Sequence, residues 1–93
     1  MTKRLTLKIH GLVQGVGYRY LSQKEARKFG FTGYVKNSDN GGVEIVTEGE
    51  EENLKKFIDW CYNGVGPAMV RKIDQNWSEA TGGFSDFMIK SQS

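Results

Sequence analysis

The chain has 93 residues, of which 38% are hydrophobic and 26% charged, and these proportions predict one small folded domain over residues 1–93. They exclude a disordered, collagen-like or coiled-coil chain, and no apolar run approaches the ~18 residues that a membrane span needs. The net charge of +2 is too small to indicate a general nucleic-acid-binding protein, whereas glycine is in excess, with 12 residues against the roughly 7% that is usual.

A strand, a glycine-rich loop and a helix are predicted at the start of the chain. Leu5, Leu7 and Ile9 alternate with polar residues, and this period of two is typical of a half-buried strand. Residues 11–19 are rich in glycine and end in an arginine. The stretch that follows carries apolar residues at helical spacing as far as Phe29, which predicts a helix.

The start of this helix stays open between two positions. Ser22 and Glu25 fit a capping box, which would begin the helix at Gln23. A start nearer Tyr20 would instead place the helix N-terminus directly behind the glycine-rich loop.

The rest of the chain predicts four further strands and a second helix. A strand over 32–37 is followed by a hairpin turn at Asn40-Gly41 and by a strand from Val43 that Gly49 breaks. An amphipathic helix follows residues 50–52 and carries on one face Leu54, Phe57, Ile58 and Cys61. A strand over 70–77 and a short strand around 87–89 complete the chain. The three consecutive acids at 50–52 are interpreted as a solvated cluster at the helix start.

This order of elements predicts an α+β fold of the ferredoxin-like split βαββαβ type. Such a fold has an antiparallel-dominated sheet with two helices on one face, here with a short C-terminal strand added. Because a strand–helix–strand crossover is right-handed, the first two strands run parallel and their C-terminal ends lie at one edge of the sheet. The glycine-rich loop and the turn after Asn37 therefore meet, and Arg19 and Asn37 have side chains long enough to converge on a small ligand there.

The glycine-rich loop has the composition of an anion-binding loop. Gly11, Gly15 and Gly17 allow a curled backbone whose N–H groups point inward, and Arg19 adds a planar guanidinium suited to phosphate. The residues match neither the Walker loop nor the dinucleotide motif, since no Lys-Ser/Thr follows and Tyr20 stands at the place of the last glycine. Taken alone, the loop leaves two interpretations open, an anion site or a tight turn with a surface arginine.

The charge distribution is also compatible with an anion site. Residues 1–40 hold eight Lys/Arg and two acids, a net charge of +6, while residues 41–93 hold five and nine, a net charge of −4. This asymmetry indicates either a solvated surface or an anion site built by the first 40 residues.

Two stretches of the chain resemble the signatures of the acylphosphatase family. From Ile9 to Arg19 the sequence has an aliphatic residue, x, Gly, x, Val-Gln-Gly-Val, x, an aromatic residue and Arg. The second signature is Gly33-Tyr34-Val35-Lys36-Asn37, followed by Gly41, Val43 and Gly49 at the spacing of the family. Tyr18 departs from the pattern, because the family usually has Phe there, and its hydroxyl needs a partner or solvent.

The resemblance implies hydrolysis of the carboxyl–phosphate bond of small acyl phosphates to a carboxylate and inorganic phosphate, with no metal and no cofactor. It implies that Arg19 and Asn37 are catalytic, with Asn37 orienting the attacking water. The implied phosphate-binding residues are Gln14, Gly15, Val16, Gly17, Tyr18 and Arg19. Because an amide has no useful pKa near neutrality, Asn37 is not expected to act as a base, and a phosphate oxygen of the substrate is a possible acceptor of the water proton.

Two alternatives to an enzyme are kept. One is a catalytically silent module of the same fold that binds phosphate or carbamoyl phosphate. The other is an RNA-recognition module, for which Tyr34 and Trp77 are possible stacking residues, although no aromatic-rich RNP segment is present.

The remaining expectations concern partners and location. The acyl phosphate is the only expected partner, with no nucleic acid, no membrane and a monomeric chain. The lone Cys61, interpreted as a buried thiol, and the lack of a signal-peptide core favour the cytoplasm. His10 is interpreted as a structural or exposed residue, and Ser22 as a helix cap and not a nucleophile.

Overall fold

A computed structural model describes residues 1–63 and 65–91, and its elements follow the predicted order. They are β1 (Thr2–Leu12), α1 (Tyr18–Lys28), β2 (Thr32–Asn37), β3 (Val43–Glu50), α2 (Glu51–Asn63), β4 (Met69–Glu79) and β5 (Phe87–Ile89). Within this part of the chain, no helix has the length and apolar character required to cross a membrane.

The five strands form one sheet in the order β4-β1-β3-β2-β5. β1 and β2 are both antiparallel to β3, which lies between them, so β1 and β2 run parallel to each other. β4 adds antiparallel to β1 at one edge, and β5 adds parallel to β2 at the other. The ferredoxin-like α+β prediction is therefore confirmed, and the C-terminal ends of β1 and β2 lie at the same edge of the sheet.

Both helices cover one face of the sheet, and the core lies between this face and the helices. Leu5, Leu7 and Ile9 of β1 are fully buried on this face, as the alternation predicts, whereas the intervening residues of the strand are not. The helices contribute the following buried residues to the same layer: Tyr18, Ser22 and Ala26 from α1, and Leu54, Phe57, Ile58 and Cys61 from α2. The prediction that Cys61 is buried is confirmed.

The capping-box interpretation of α1 is wrong, because the helix begins at Tyr18. Ser22 lies in the second turn, where its buried hydroxyl donates to the Arg19 carbonyl at 3.0 Å. The buried ring of Tyr18 holds the first residue of the helix in the core, and this tertiary contact outweighs the local capping signal.

Two glycines have roles that differ from their predicted ones. Gly11 lies in β1 opposite Val70, so the loop between β1 and α1 is limited to residues 13–17. Gly49 does not break β3, which continues to Glu50. A Cβ atom at Gly49 would collide with the Phe31 ring, so this glycine permits close packing inside a strand.

Candidate active site

The loop from β1 to α1 is built to present main-chain N–H groups. Gly15 and Gly17 have φ angles of 77° and 82°, in the left-handed region that favours glycine, and α1 begins directly after them. No side chain caps this helix N-terminus, and its first turn contains no acidic residue. The first-turn N–H groups and the positive end of the helix dipole therefore suit an anion.

A cavity of about 210 Å³ opens in front of this loop. It is lined by Val13, Gly15, Gly17, Tyr18, Arg19, Tyr20, Asn37 and Ile89. The structure thus brings Arg19 and Asn37 together, although 17 residues and a helix separate them in the chain. Of the other predicted site residues, Gly15, Gly17 and Tyr18 line the cavity, whereas Gln14 and Val16 are not among its described lining residues.

Arg19 and Asn37 keep their side-chain polar groups free for a ligand. Within residues 1–63 and 65–91, the Arg19 guanidinium makes no ion pair and the Asn37 carboxamide makes no hydrogen bond. A guanidinium offers several N–H donors to phosphate oxygens, and a carboxamide offers both a donor and an acceptor to a water molecule. The cavity therefore combines a group that can bind an oxyanion with a group that can hydrogen-bond a water molecule.

Tyr18 is the position at which the chain departs from the usual signature, and its hydroxyl has a partner. The side chain is 1% exposed, and its hydroxyl donates to the Cys61 carbonyl at 2.8 Å. That carbonyl lies in the last turn of α2, where main-chain carbonyls have no N–H donor within the helix. Burial raises the pKa of the Tyr18 hydroxyl, which keeps it protonated as a donor.

Gln14 has a side-chain role that the sequence reasoning missed. Its Nε2 donates to the carbonyls of Ser38 and Gly42, at 2.9 and 2.8 Å. These contacts confirm that the glycine-rich loop meets the turn after Asn37. The resemblance implies only that Gln14 binds phosphate, and the main-chain acceptors of its side chain leave no signal in the sequence.

Tyr20 and Ile89 were also missed as cavity residues. Tyr20 is 61% exposed at the third position of α1, and Ile89 is 38% exposed at the end of β5. The pairing of Ile89 with Val35 places it beside the end of β2. An aromatic ring and an aliphatic side chain therefore flank the cavity, but their positions depend on strand pairing that the local sequence does not specify.

Polar side chains outside this cavity make a structural contact or carry charges of both signs. His10 Nε2 lies 3.0 Å from Asp74 Oδ2, a structural contact between β1 and β4. A larger cavity of about 280 Å³ next to His10 is lined by Lys8 as well as by Asp39 and Glu44, so its charged groups are of both signs. Residues 1–63 and 65–91 contain no group of three or more His, Cys, Asp or Glu side chains that could hold a metal ion.

Comparisons with known proteins cover nearly the whole chain. The Acylphosphatase family model matches residues 5–89. An acylphosphatase of Caldanaerobacter subterraneus subsp. tengcongensis is 42% identical over 89 residues, which are 96% of this chain and 99% of that protein. The crystal structure of acylphosphatase from Bacillus subtilis has a TM-score of 0.90 and 39% identity, with 95% of this chain and 98% of that chain covered.

A larger protein contains a similar domain. Full-length HypF, in a phosphate- and nucleotide-bound form, has a TM-score of 0.89 and 30% identity, and the match covers 99% of this chain but 12% of that one. The match to the family model and the identity to a relative of equal length together show that the chain belongs to the acylphosphatase family.

Proposed function

We propose that this chain hydrolyses the carboxyl–phosphate bond of small acyl phosphates to a carboxylate and inorganic phosphate. The observation that carries the proposal is the shared cavity at the N-terminus of α1, where the Arg19 guanidinium and the Asn37 carboxamide have no described protein partner. Membership of a family whose relatives are named acylphosphatases supports the same activity.

In the proposed mechanism, Arg19 and the loop hold the phosphoryl group. The phosphoryl oxygens are surrounded by the main-chain N–H groups of Gln14, Gly15, Val16, Gly17 and Tyr18. Charge that develops on the phosphoryl oxygens is stabilised by the guanidinium and by the start of α1, both of which are in place before the reaction.

Asn37 orients the water that attacks phosphorus. Its carboxamide oxygen accepts a hydrogen bond from the water, which aligns the water oxygen opposite the leaving carboxylate. A bond forms between the water oxygen and phosphorus, and the bond from phosphorus to the acyl oxygen breaks. The carboxylate departs with the electron pair, and the water proton passes to a phosphoryl oxygen, because an amide is not a base at neutral pH.

The proposed reaction uses no metal and no cofactor, since Arg19 and main-chain N–H groups supply the positive charge. We expect phosphate release from an aromatic acyl phosphate to continue unchanged in excess chelator. Loss of activity on chelation would contradict the metal-free mechanism. Binding of phosphate without any turnover would favour the alternative of a silent phosphate- or carbamoyl-phosphate-binding module.

Substitutions separate the two proposed roles. We expect Arg19→Gln to lower kcat/KM by about 10³-fold or more and to weaken inhibition by phosphate, because it removes the charged clamp. We expect Asn37→Ala to lower kcat by a large factor while the inhibition constant for phosphate stays within about threefold. Asn76→Ala, on the exposed part of β4, is the matched control and should keep wild-type kcat. Equal losses of kcat and phosphate affinity in Asn37→Ala would rule out water orientation.

The proposal includes a single-domain monomer in the cytoplasm with no nucleic-acid or membrane partner. Arg19, Asn37 and the glycine-rich loop of a single protomer line one cavity, which supports a site built within the monomer. The buried, lone Cys61 is compatible with a reducing compartment. Light scattering should give the mass of one chain, and a stable dimer would contradict this part of the proposal.

A further inference from the structure

The side chain of Gln14 connects the two halves of the cavity. Gln14 directly precedes Gly15, which lines the phosphate side, and its Nε2 reaches the turn that follows Asn37. Both hydrogen atoms of the amide group are used, one on the Ser38 carbonyl and one on the Gly42 carbonyl, at 2.9 and 2.8 Å. Gln14 therefore ties the loop after β1 to the turn after β2, across the intervening strand β3.

The two carbonyls that Gln14 binds form the base of the turn. The Ser38 N–H donates to the Gly42 carbonyl at 2.9 Å, and the Gly41 N–H donates to the Ser38 carbonyl at 3.2 Å. Asn37 is the residue before this closure and the last residue of β2, where it pairs with Val43. A shift of the turn against the loop would therefore move the Asn37 carboxamide relative to the phosphate side of the cavity.

We propose that Gln14 is a positioning residue whose side-chain amide sets the place of the Asn37 carboxamide relative to the phosphate-binding loop. Gln14 acts through Asn37, and its side chain contacts neither the phosphoryl group nor the water. The inference rests on the proposed function, in which Asn37 orients the water. A misplacement of about 1 Å costs on the order of 10²-fold in rate for an oriented reaction, so two hydrogen bonds that fix this distance have a measurable effect on turnover.

Gln14→Met is the first test, because methionine keeps the length of the side chain and has no donor. We expect kcat to fall by about 10- to 100-fold, while the inhibition constant for inorganic phosphate stays within about threefold. The substitution leaves the main chain of the loop in place, so phosphate binding is retained and only the alignment of water is lost. Thermal unfolding of the variant is measured alongside to establish that it is folded.

Gln14→Glu provides a readout that general loosening would not produce. The carboxylate has no donor and faces two carbonyl oxygens, so activity at pH 8 should be lower than in Gln14→Met. Protonation returns one O–H donor, so the ratio of variant to wild-type kcat should rise as the pH falls toward 5. Taking the ratio removes the pH dependence that both proteins share.

A double substitution tests whether Gln14 acts through Asn37. In an Asn37→Ala background, Gln14→Met should change kcat by less than about threefold, because the group that Gln14 positions is already absent. Gln23→Met is the matched control, since Gln23 Nε2 also donates to a main-chain carbonyl, that of Phe87, at 2.9 Å. This control should keep kcat within about threefold of wild type.

The outcomes separate the positioning role from the proposed function. If the wild type has no turnover, the proposed function fails; if Asn37→Ala keeps full kcat, the water-orienting role of Asn37, on which the positioning role depends, fails. If those two results are as expected, the positioning role alone is overturned by full kcat in Gln14→Met, by a loss of phosphate affinity equal to the loss of kcat, or by an unchanged effect of Gln14→Met in the Asn37→Ala background. Should Gln14→Met not fold, the pH dependence of Gln14→Glu decides, and a flat ratio overturns the role.

Discussion

At the scale of single residues, one hydroxyl links the start of α1 to the second helix. Tyr18 begins α1 beside Arg19, and its hydroxyl donates to the Cys61 carbonyl at 2.8 Å. A Phe at this position would fill the same space without the donor, and the Cys61 carbonyl would be left buried near the end of α2. The hydroxyl therefore contributes to stability in a way that the usual residue of the family does not.

We expect Tyr18→Phe to lower the free energy of unfolding by about 1–2 kcal/mol, since a buried acceptor loses its partner. Denaturant unfolding measures the change. Tyr20→Phe is the matched control, because the exposed Tyr20 hydroxyl has no partner within residues 1–63 and 65–91, and its effect should stay within about 0.5 kcal/mol. Equal effects of the two substitutions would mean that water replaces the Tyr18 hydroxyl at the Cys61 carbonyl.

Single residues also show how much of the candidate site could be predicted from the sequence. Arg19 and Asn37 could be predicted, because each ends a motif and because the right-handed crossover brings both motifs to one edge of the sheet. The hydrogen bonds that the Gln14 side-chain amide donates could not be predicted, since their acceptors are main-chain carbonyls 24 and 28 residues away. A main-chain acceptor has no sequence signature, so such contacts become visible only in three dimensions.

At the scale of the elements, the segment from β4 to β5 has to cross the sheet, because these strands lie at opposite edges. Glu48, on the central strand β3, fixes this crossing. Its carboxylate accepts hydrogen bonds from the N–H groups of Thr81 and Gly82, at 2.9 and 3.0 Å, and from Arg4 Nε at 2.9 Å. The Arg4 guanidinium also lies 5.0 Å from the centre of the Phe84 ring, so the segment is held at two points.

The strand pattern predicted the start of β3 but neither its continuation to Glu50 nor the burial of the Glu48 carboxylate. A glutamate at a polar position of an alternating strand indicates a solvated side chain, yet Glu48 is only 5% exposed. The residues that cover it lie more than 30 positions later in the chain. Alternation specifies which face a residue occupies, whereas the loop that covers this face is a property of the whole topology.

The Glu48 contacts predict a stability that depends on pH. Burial by itself would raise the pKa of Glu48, but the donors of Thr81, Gly82 and Arg4 outweigh it and hold the pKa below the ordinary value. A carboxyl group whose pKa is lower in the folded chain stabilises fully above its unfolded value of about 4.3, and this contribution is lost as the pH falls through the folded value.

We therefore expect Glu48→Gln to be less stable than the wild type at pH 7, by about 1–3 kcal/mol, and to approach it as the pH falls below about 4. The measurement is Tm of both proteins between pH 7 and pH 3. Glu79→Gln is the control, because Glu79 is an exposed partner of Lys3 and should shift Tm little. A constant difference in Tm between Glu48→Gln and wild type across this range would show that the charge of Glu48 is not the stabilising feature.

At the scale of the whole molecule, the reactivity of the Cys61 thiol measures how readily the core opens. The thiol lies in the layer between the sheet and the helices and has no exposed surface. Burial raises the pKa of Cys61 to about 12, so the reactive thiolate is scarce at pH 8. A thiol reagent can reach the sulfur only when α2 separates from the sheet and from α1.

We expect iodoacetamide to label Cys61 through global unfolding and not through a local opening of α2. The Tyr18 hydroxyl joins α2 to α1, and Phe57 of α2 lies in one buried cluster with strand residues, so the rate of labelling should rise with denaturant with the same slope as global unfolding. Tyr18→Phe should accelerate labelling by the factor that corresponds to its loss of stability, about 5- to 30-fold for 1–2 kcal/mol. Rapid labelling that is insensitive to denaturant would instead indicate that α2 opens by itself, independently of the sheet and of α1.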